Sequence, residues 1–166
     1  MKRIHVASLI AILGLGLISA SCHEEDEVTT TTASTGGPRI FFTQDSGVGE
    51  DFDGYFIGST DGGSAFGNPL KLNDGGDLSR PSIVVDPTSG VIHIVYEKYN
   101  EGVFYRRSID NGLSFSVPLD ISASVIVSKC WNPAIALDPS DPNSVHIAFM
   151  EDNDSVYHTR SSNGGL

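Results

Sequence analysis

After residue 38, apolar residues come in short runs separated by clusters of Gly, Pro, Asn and Asp about every eight to twelve residues, a spacing that predicts short strands joined by turns. No stretch beyond residue 21 carries the apolar spacing of a helix. The clearest set lies mid-chain, with strand A over Pro81–Val85, B over Val91–Tyr96, C over Val103–Ser108 and D over Val117–Ile121. A later set offers A at Pro133–Leu137, B at Val145–Phe149 and C at Val156–Ser161, without a strand D. An earlier set offers B at Ile40–Thr43, C at Gly54–Ser59 and D at Pro69–Leu72, without a strand A and with a longer B–C loop. Runs such as Ile83–Val85 and Ile92–Tyr96 are apolar on both faces, which suits sheets stacked face to face.

The sets are copies of one another. Ser59, Asp61, Gly63 and Phe66 return as Ser108, Asp110, Gly112 and Phe115, then in part as Ser161, Asn163 and Gly165. The steps are 49 and 53 residues. Pro81-Ser-Ile83-Val-Val85-Asp86-Pro87 returns 52 residues later as Pro133-Ala-Ile135-Ala-Leu137-Asp138-Pro139. A fixed period near fifty means one supersecondary unit repeated in tandem. Four antiparallel strands per unit are the blades of a β-propeller, whose ring closes with about 4–8 of them. The fold expectation is an all-β partial propeller of about three blades, the first and last incomplete, with units over 38–75, 76–125 and 126–166. With one full unit and two partial ones, the chain reads as a truncated gene product of marginal stability.

Physically, the repeated motif is a turn device between strands C and D. The Asp61 or Asp110 carboxylate can accept bonds from N–H groups of its own loop, and Gly63 and Gly112 permit a positive φ there. Phe66 and Phe115 are expected to fold back on their blade as apolar plugs. Residues present in every unit serve the unit. On that rule His93 with His146, and Arg107 with Arg160, read as structural, the arginines bonding within their own blades.

The units resemble the Asp-box, or BNR, repeats of the sialidase superfamily, over about Arg39 to Leu166. Tyr105-Arg106-Arg107-Ser108-Ile-Asp110-Asn-Gly112-Leu-Ser114-Phe115 is the fullest match. Ala65 and Asn163 depart from the family pattern. The resemblance implies a propeller, and for the enzymes among its members an Arg triad, a Tyr–Glu pair and an acid/base Asp in a first-blade loop. Glu50-Asp51-Phe52-Asp53 fills the long B–C loop ahead of the first box, making Asp51 and Asp53 the acid/base candidates. Arg39-Ile40 lacks the Pro of the family's first-blade Arg motif. Arg80, at the head of a strand A where the next unit has Asn132, and Trp131, a stacking platform or an inter-blade plug, are the substrate-binding candidates. Glu97 and Tyr99 do not match the family's Tyr–Glu pair, which comes from later blades. No catalytic set is complete.

The amino terminus changes the picture of location. Lys2 and Arg3, an apolar run from Leu9 to Ile18 and small residues Ser19–Ser21 read as a signal peptide over 1–21. Its end resembles a bacterial lipoprotein box with Cys22 as the lipidated residue, although Ser19 departs from that pattern. Residues 22–37, acidic and then Thr-rich, read as a disordered tether to an outer-membrane or cell-surface position; otherwise the protein is secreted. Loss of Lys2 and Arg3 takes the formal charge from −11 to −13, which excludes a nucleic-acid partner. Cys130 is the second of two cysteines, and no cofactor motif or metal-ligand spacing is present. The expected membrane contact is the lipid on Cys22 alone, and glycans are the expected partners. The function that follows is a secreted or surface-anchored repeat module, glycan-related and non-catalytic. The alternatives are the amino-terminal part of an exo-α-sialidase or related glycoside hydrolase, and a protein-interaction propeller.

Overall fold

The computed structural model describes residues 28–33, 37–45, 52–72, 77–124, 129–152 and 155–166. The signal-type segment, Cys22 and Asp51 lie outside them. The described residues are all-β, in three antiparallel sheets with no helix. Blade one is β1 (Val28–Ala33), β2 (Gly37–Asp45), β3 (Phe52–Gly58) and β4 (Leu70–Lys71), paired in that order. Blade two is β5 (Leu78–Val85), β6 (Ile92–Lys98), β7 (Gly102–Ser108) and β8 (Leu119–Asp120). Blade three has β9 (Cys130–Asp138), β10 (Asp141–Glu151) and β11 (Val156–Ser161). Together they form a partial propeller.

Blade one corrects the sequence reading twice. Residues 28–33, assigned to the tether, form β1 and pair with β2 from Val28 opposite Phe42 to Ala33 opposite Gly37. They supply the strand A that was expected to be missing. Thr and Val are β-branched residues that suit an extended backbone, and pairing outweighs a composition with little to bury. Phe52 and Asp53, expected in a loop, belong to β3, with Asp53 opposite Gln44.

The innermost strands meet: β1 packs against β5, and β5 against β9. Between them, β6 is the centre of the stack, buried from Ile92 to Lys98. Its alternate residues face opposite neighbours. Ile92, Ile94 and Tyr96 join Phe41, Phe56 and Leu72 of blade one in one core, while Val95 joins Val145, Ile147 and Phe149 of blade three in another. Each of these four β6 residues is fully buried, which contributes about 1.5–3 kcal/mol per side chain. Blade one cannot fill that role alone, and neither can blade three.

Candidate functional site

The repeated turn is built the same way three times. Ser59 Oγ donates to Asp61 Oδ1 (2.8 Å), Ser108 Oγ to Asp110 Oδ1 (2.7 Å), and Ser161 Oγ to Asn163 Oδ1 (2.6 Å). The same serine oxygens accept from the N–H of Gly63 (2.8 Å), Gly112 (2.8 Å) and Gly165 (2.9 Å). The carboxylate then accepts from the N–H four residues on, Ala65 and Ser114 at 2.9 Å each, whereas the Asn163 amide oxygen accepts from Leu166, three residues on, at 3.2 Å. Two successive residues take positive φ in each: Gly62 and Gly63, Asn111 and Gly112, Gly164 and Gly165. Bonds from Ser114 and Ser108 pull the Asp110 carboxyl down to about 2, and backbone and serine donors lower Asp61 likewise. In each copy the serine and the acidic or amide oxygen bond to donors of their own loop.

The turn also locks onto the preceding blade. A Cβ on Gly112 would lie 2.1 Å from Cε1 of Phe56, and one on Gly165 would lie 2.0 Å from the Tyr105 hydroxyl. Phe56 and Tyr105 stand at equal positions, three residues before their own turn serine. Phe115 packs edge-on against Phe56 with ring centroids 5.0 Å apart, so it plugs the gap between blades rather than folding onto its own. Phe66, with no blade before it among the described residues, is 38% exposed. Arg107 Nη1 likewise donates across the interface, to Gly164 O (3.1 Å), whereas Arg160 Nε stays within its blade on Ser144 Oγ (2.7 Å). The expectation that both arginines bond within a blade holds for the second alone.

His93 serves the same scaffold. It is buried with Nδ1 2.7 Å from the Tyr105 hydroxyl. Desolvation, then the nearby Arg107, brings its pKa down to about 4, so the ring is neutral. Desolvation pushes Tyr105 up to about 12. Its counterpart His146 faces His158, with Nδ1 and Nε2 3.0 Å apart.

Arg80 and Trp131, the two substrate-binding candidates, come together. The guanidinium of Arg80 lies 5.9 Å from the Trp131 ring centroid, across the boundary between blades two and three. A β-bulge interrupts the pairing of each of these segments. The β5–β6 register slips between Ser79 and Ser82, and the β10–β9 register slips between Ala148 and Met150, opposite Trp131 and Ala134. At the bulges Arg80 and Asn132 both take φ 49 immediately before a proline. Such a bulge re-aims a side chain and interrupts pairing where Pro has no N–H to give. The strain costs about 1–3 kcal/mol at each position.

Arg80 and Trp131 line a shallow cavity of about 230 Å³ together with Glu97, Tyr99, Lys129 and Cys130. Arg80 Nη1 is bonded to Glu97 Oε2 at 2.6 Å, and Glu97 is 7% exposed at its side chain. Lys129 Nζ sits 5.4 Å from the Tyr99 ring centroid. The indole N–H of Trp131 is buried and has no hydrogen-bond partner among the described residues. Cys130 is buried, and desolvation followed by the Glu151 charge pushes its thiol up, away from nucleophilic use. Sequence reasoning missed Glu97 as the partner of Arg80. The available signal was a carboxylate within a strand apolar on both faces, which needs a cation beside it.

Asp53 does not join this cavity. It is bonded to Lys71 Nζ at 2.6 Å on β4 and accepts from the Tyr55 hydroxyl at 3.4 Å. Arg39 is buried on β2 and donates to the carbonyls of Gly37 (3.0 Å), Pro38 (3.4 Å) and Ser59, which fixes blade one internally. Among the described residues, no group of three or more His, Cys, Asp or Glu is placed to hold a metal ion.

No protein-family model matches the chain, and no curated protein matches it. Solved structures do. The Hadza microbial sialidase Hz136 superposes with a TM-score of 0.58 at 15% identity, over 78% of this chain and 33% of that one. The chain thus spans about a third of that sialidase, and the likeness establishes a sialidase-like propeller fold.

Proposed function

We propose that residues 28–166 belong to an extracytoplasmic Asp-box propeller of the sialidase superfamily that holds glycans at the Arg80–Trp131 cleft without cleaving them. The observation that supports this reading is the Trp131 ring beside the Arg80 guanidinium, both lining one cavity on a sialidase-like fold. An aromatic ring beside a half-exposed guanidinium suits a sugar, which offers C–H faces to the ring and hydroxyl acceptors to the cation. The Asp53 carboxylate is tied to Lys71, away from the cleft, which favours binding over hydrolysis. In the same reading, Cys22 carries a lipid that holds the protein at the outer membrane or cell surface.

Trp131 is the single tryptophan of the chain, so its fluorescence reports on this cleft directly. Addition of sialyllactose, and of neutral oligosaccharides in a parallel series, is expected to shift the emission saturably. Arg80→Ala should weaken the response about tenfold, equivalent to about 1.4 kcal/mol. Emission indifferent to every sugar tested would remove the cleft from consideration. Labelling by a palmitate analogue, lost in Cys22→Ser, tests the anchor.

A second reading, the amino-terminal part of an exo-α-sialidase, is favoured by the likeness to a sialidase about three times the span of the aligned region. Release of a fluorogenic aglycone from a sialoside by the intact protein, reduced in Asp51→Asn or Asp53→Asn, would favour it over binding alone.

A further inference from the structure

We propose that the cleft takes a sugar bearing a tetrahedral oxyanion ester, a sulfate or a phosphate, with Lys129 as the counter-ion of that group. This rests on the reading of the Arg80–Trp131 cleft as a glycan site and adds the class of glycan. The charged side chains that line the cleft are Arg80, Lys129 and Glu97, two cations against one carboxylate. That local excess of positive charge stands in a chain whose net charge is −11.

The cations at this end of blades two and three are not equivalent. Arg80 Nη1 is bonded to Glu97 Oε2 at 2.6 Å, and Lys98 Nζ to Glu101 Oε2 at 2.7 Å. Lys129 is exposed and forms no ion pair among the described residues. The four residues before it, Val125–Ser128, carry no charge. Its Nζ lies 5.4 Å from the centroid of the Tyr99 ring, a contact from blade three to blade two. The turn that carries Tyr99 is fixed by its own backbone. Tyr99 N–H donates to Asp77 O, and Glu101 N–H to Lys98 O, each at 2.9 Å. On the other side, Lys129 stands immediately before β9, whose first residue Cys130 pairs with Glu151. A cation–π contact at an exposed site contributes about 0.5–1 kcal/mol and places the ammonium without neutralising it.

The kind of anion follows from the kind of cation. A carboxylate is matched by the planar fork of a guanidinium through two parallel N–H···O bonds, whereas an ammonium is a compact point charge with three donors and no plane. The guanidinium of this cleft already gives Nη1 to Glu97, and a second carboxylate on it would stand beside the first and be repelled. A sulfate or phosphate ester carries its terminal oxygens in several directions. It can meet the Lys129 ammonium while the sugar ring to which it is attached lies toward Trp131.

The test follows the Trp131 emission of the full chain, with calorimetry beside it, over two sugar series that differ at C6 alone. These are galactose, galacturonic acid, galactose 6-sulfate and galactose 6-phosphate, and the same forms of glucose. One of the esters is expected to bind about tenfold tighter than both the neutral sugar and the uronic acid, the scale of one charge-assisted hydrogen bond. Which ester does so identifies the source of the oxyanion. Lys129→Gln, a change at an exposed side chain, should cancel that gain and leave the affinity for the neutral sugar as it was. Added salt should shrink the gain in the parent. Esters no tighter than the neutral sugars would overturn the inference and leave the glycan reading standing. A uronic acid that binds as well as the esters, or an ester gain that survives Lys129→Gln, would overturn it too. Inorganic sulfate or phosphate with the affinity of the ester sugar would mean an anion site without a sugar, against the proposal. No response to any sugar by either method would take the glycan reading down with it.

Discussion

The contact between Gly112 and Phe56 is the most exposed point of the stacking argument. In Gly112→Ala two costs arise together. The residue has φ +87, a region that costs an L-residue about 1–2 kcal/mol. The new methyl would also sit 2.1 Å from Cε1 and 2.5 Å from Cζ of Phe56, so a buried ring must move. Overpacking of that kind costs about 1–3 kcal/mol, giving about 2–5 kcal/mol in all. Gly62→Ala is the matched control, because it has φ +74 and nothing within 4 Å, leaving the backbone cost alone. Urea unfolding at constant m gives both values. In a Phe56→Leu background the difference between the two alanine variants should shrink by about 1–3 kcal/mol, since the ring that clashes is gone. Equal destabilisation of Gly112→Ala and Gly62→Ala would refute the idea that the turn glycine is a socket for the preceding blade.

Asp110→Asn should keep the turn, since Asn163 already fills that position with an amide oxygen accepting from Ser161, but should flatten the acid limb of the stability curve. The Asp110 carboxyl is depressed to about 2, so its contribution is complete above the ordinary Asp range and fades as pH falls toward 2. His93 acts over a higher window: its folded pKa of about 4 lies below the ordinary 6.5, so the unfolded chain binds the proton first and stability declines as pH drops from 6.5 to 4. The loss amounts to about 3 kcal/mol and should be absent in His93→Gln, as measured by urea midpoints across pH. Arg107→Ala removes the donor to Gly164 O and should cost about 1–2 kcal/mol, with amide exchange accelerating first in the Ser161–Gly165 turn. Unchanged exchange there would detach Arg107 from the interface.

What was legible in the sequence was whatever the repeat states more than once. Strands at Ile92–Lys98, Gly102–Ser108 and Val156–Ser161 follow from apolar runs bounded by turns, and the serine–carboxylate turn follows from its spacing. Strand β1 was hidden because a Thr run has no amphipathic alternation, and its place depends on pairing with β2, a contact absent from local pattern. Phe115 and Arg107 were placed in the right element but against the wrong partner. A period reports that a residue belongs to a unit; it is silent on whether the side chain reaches into that unit or into the next. Asp53 was misjudged for the same reason as β1. Its loop-like neighbours Glu50 and Asp51 suggested solvent, whereas seven residues of β3 pair with β2 through to Phe52.

The cleft obeys the opposite logic. Arg80 and Asn132 share a bulge, a following proline and a left-handed φ, so the backbone device is common property of the blades. The side chains mounted on it differ: Arg80 with Glu97 in blade two, Asn132 with Met150 in blade three, where Nδ2 lies 4.0 Å from Sδ. Trp131 likewise stands where blade two has Ser79. A scaffold that spends backbone strain at the same point in successive blades, and varies only the residue placed there, separates folding from recognition. Stability is set by serine, glycine and ring contacts that recur, and on the proposed reading recognition is set by what stands at the bulge. On the proposed reading, the ligand preference of the Arg80–Trp131 cleft can change through Arg80 without cost to the stack, because Arg80 belongs to neither inter-blade core.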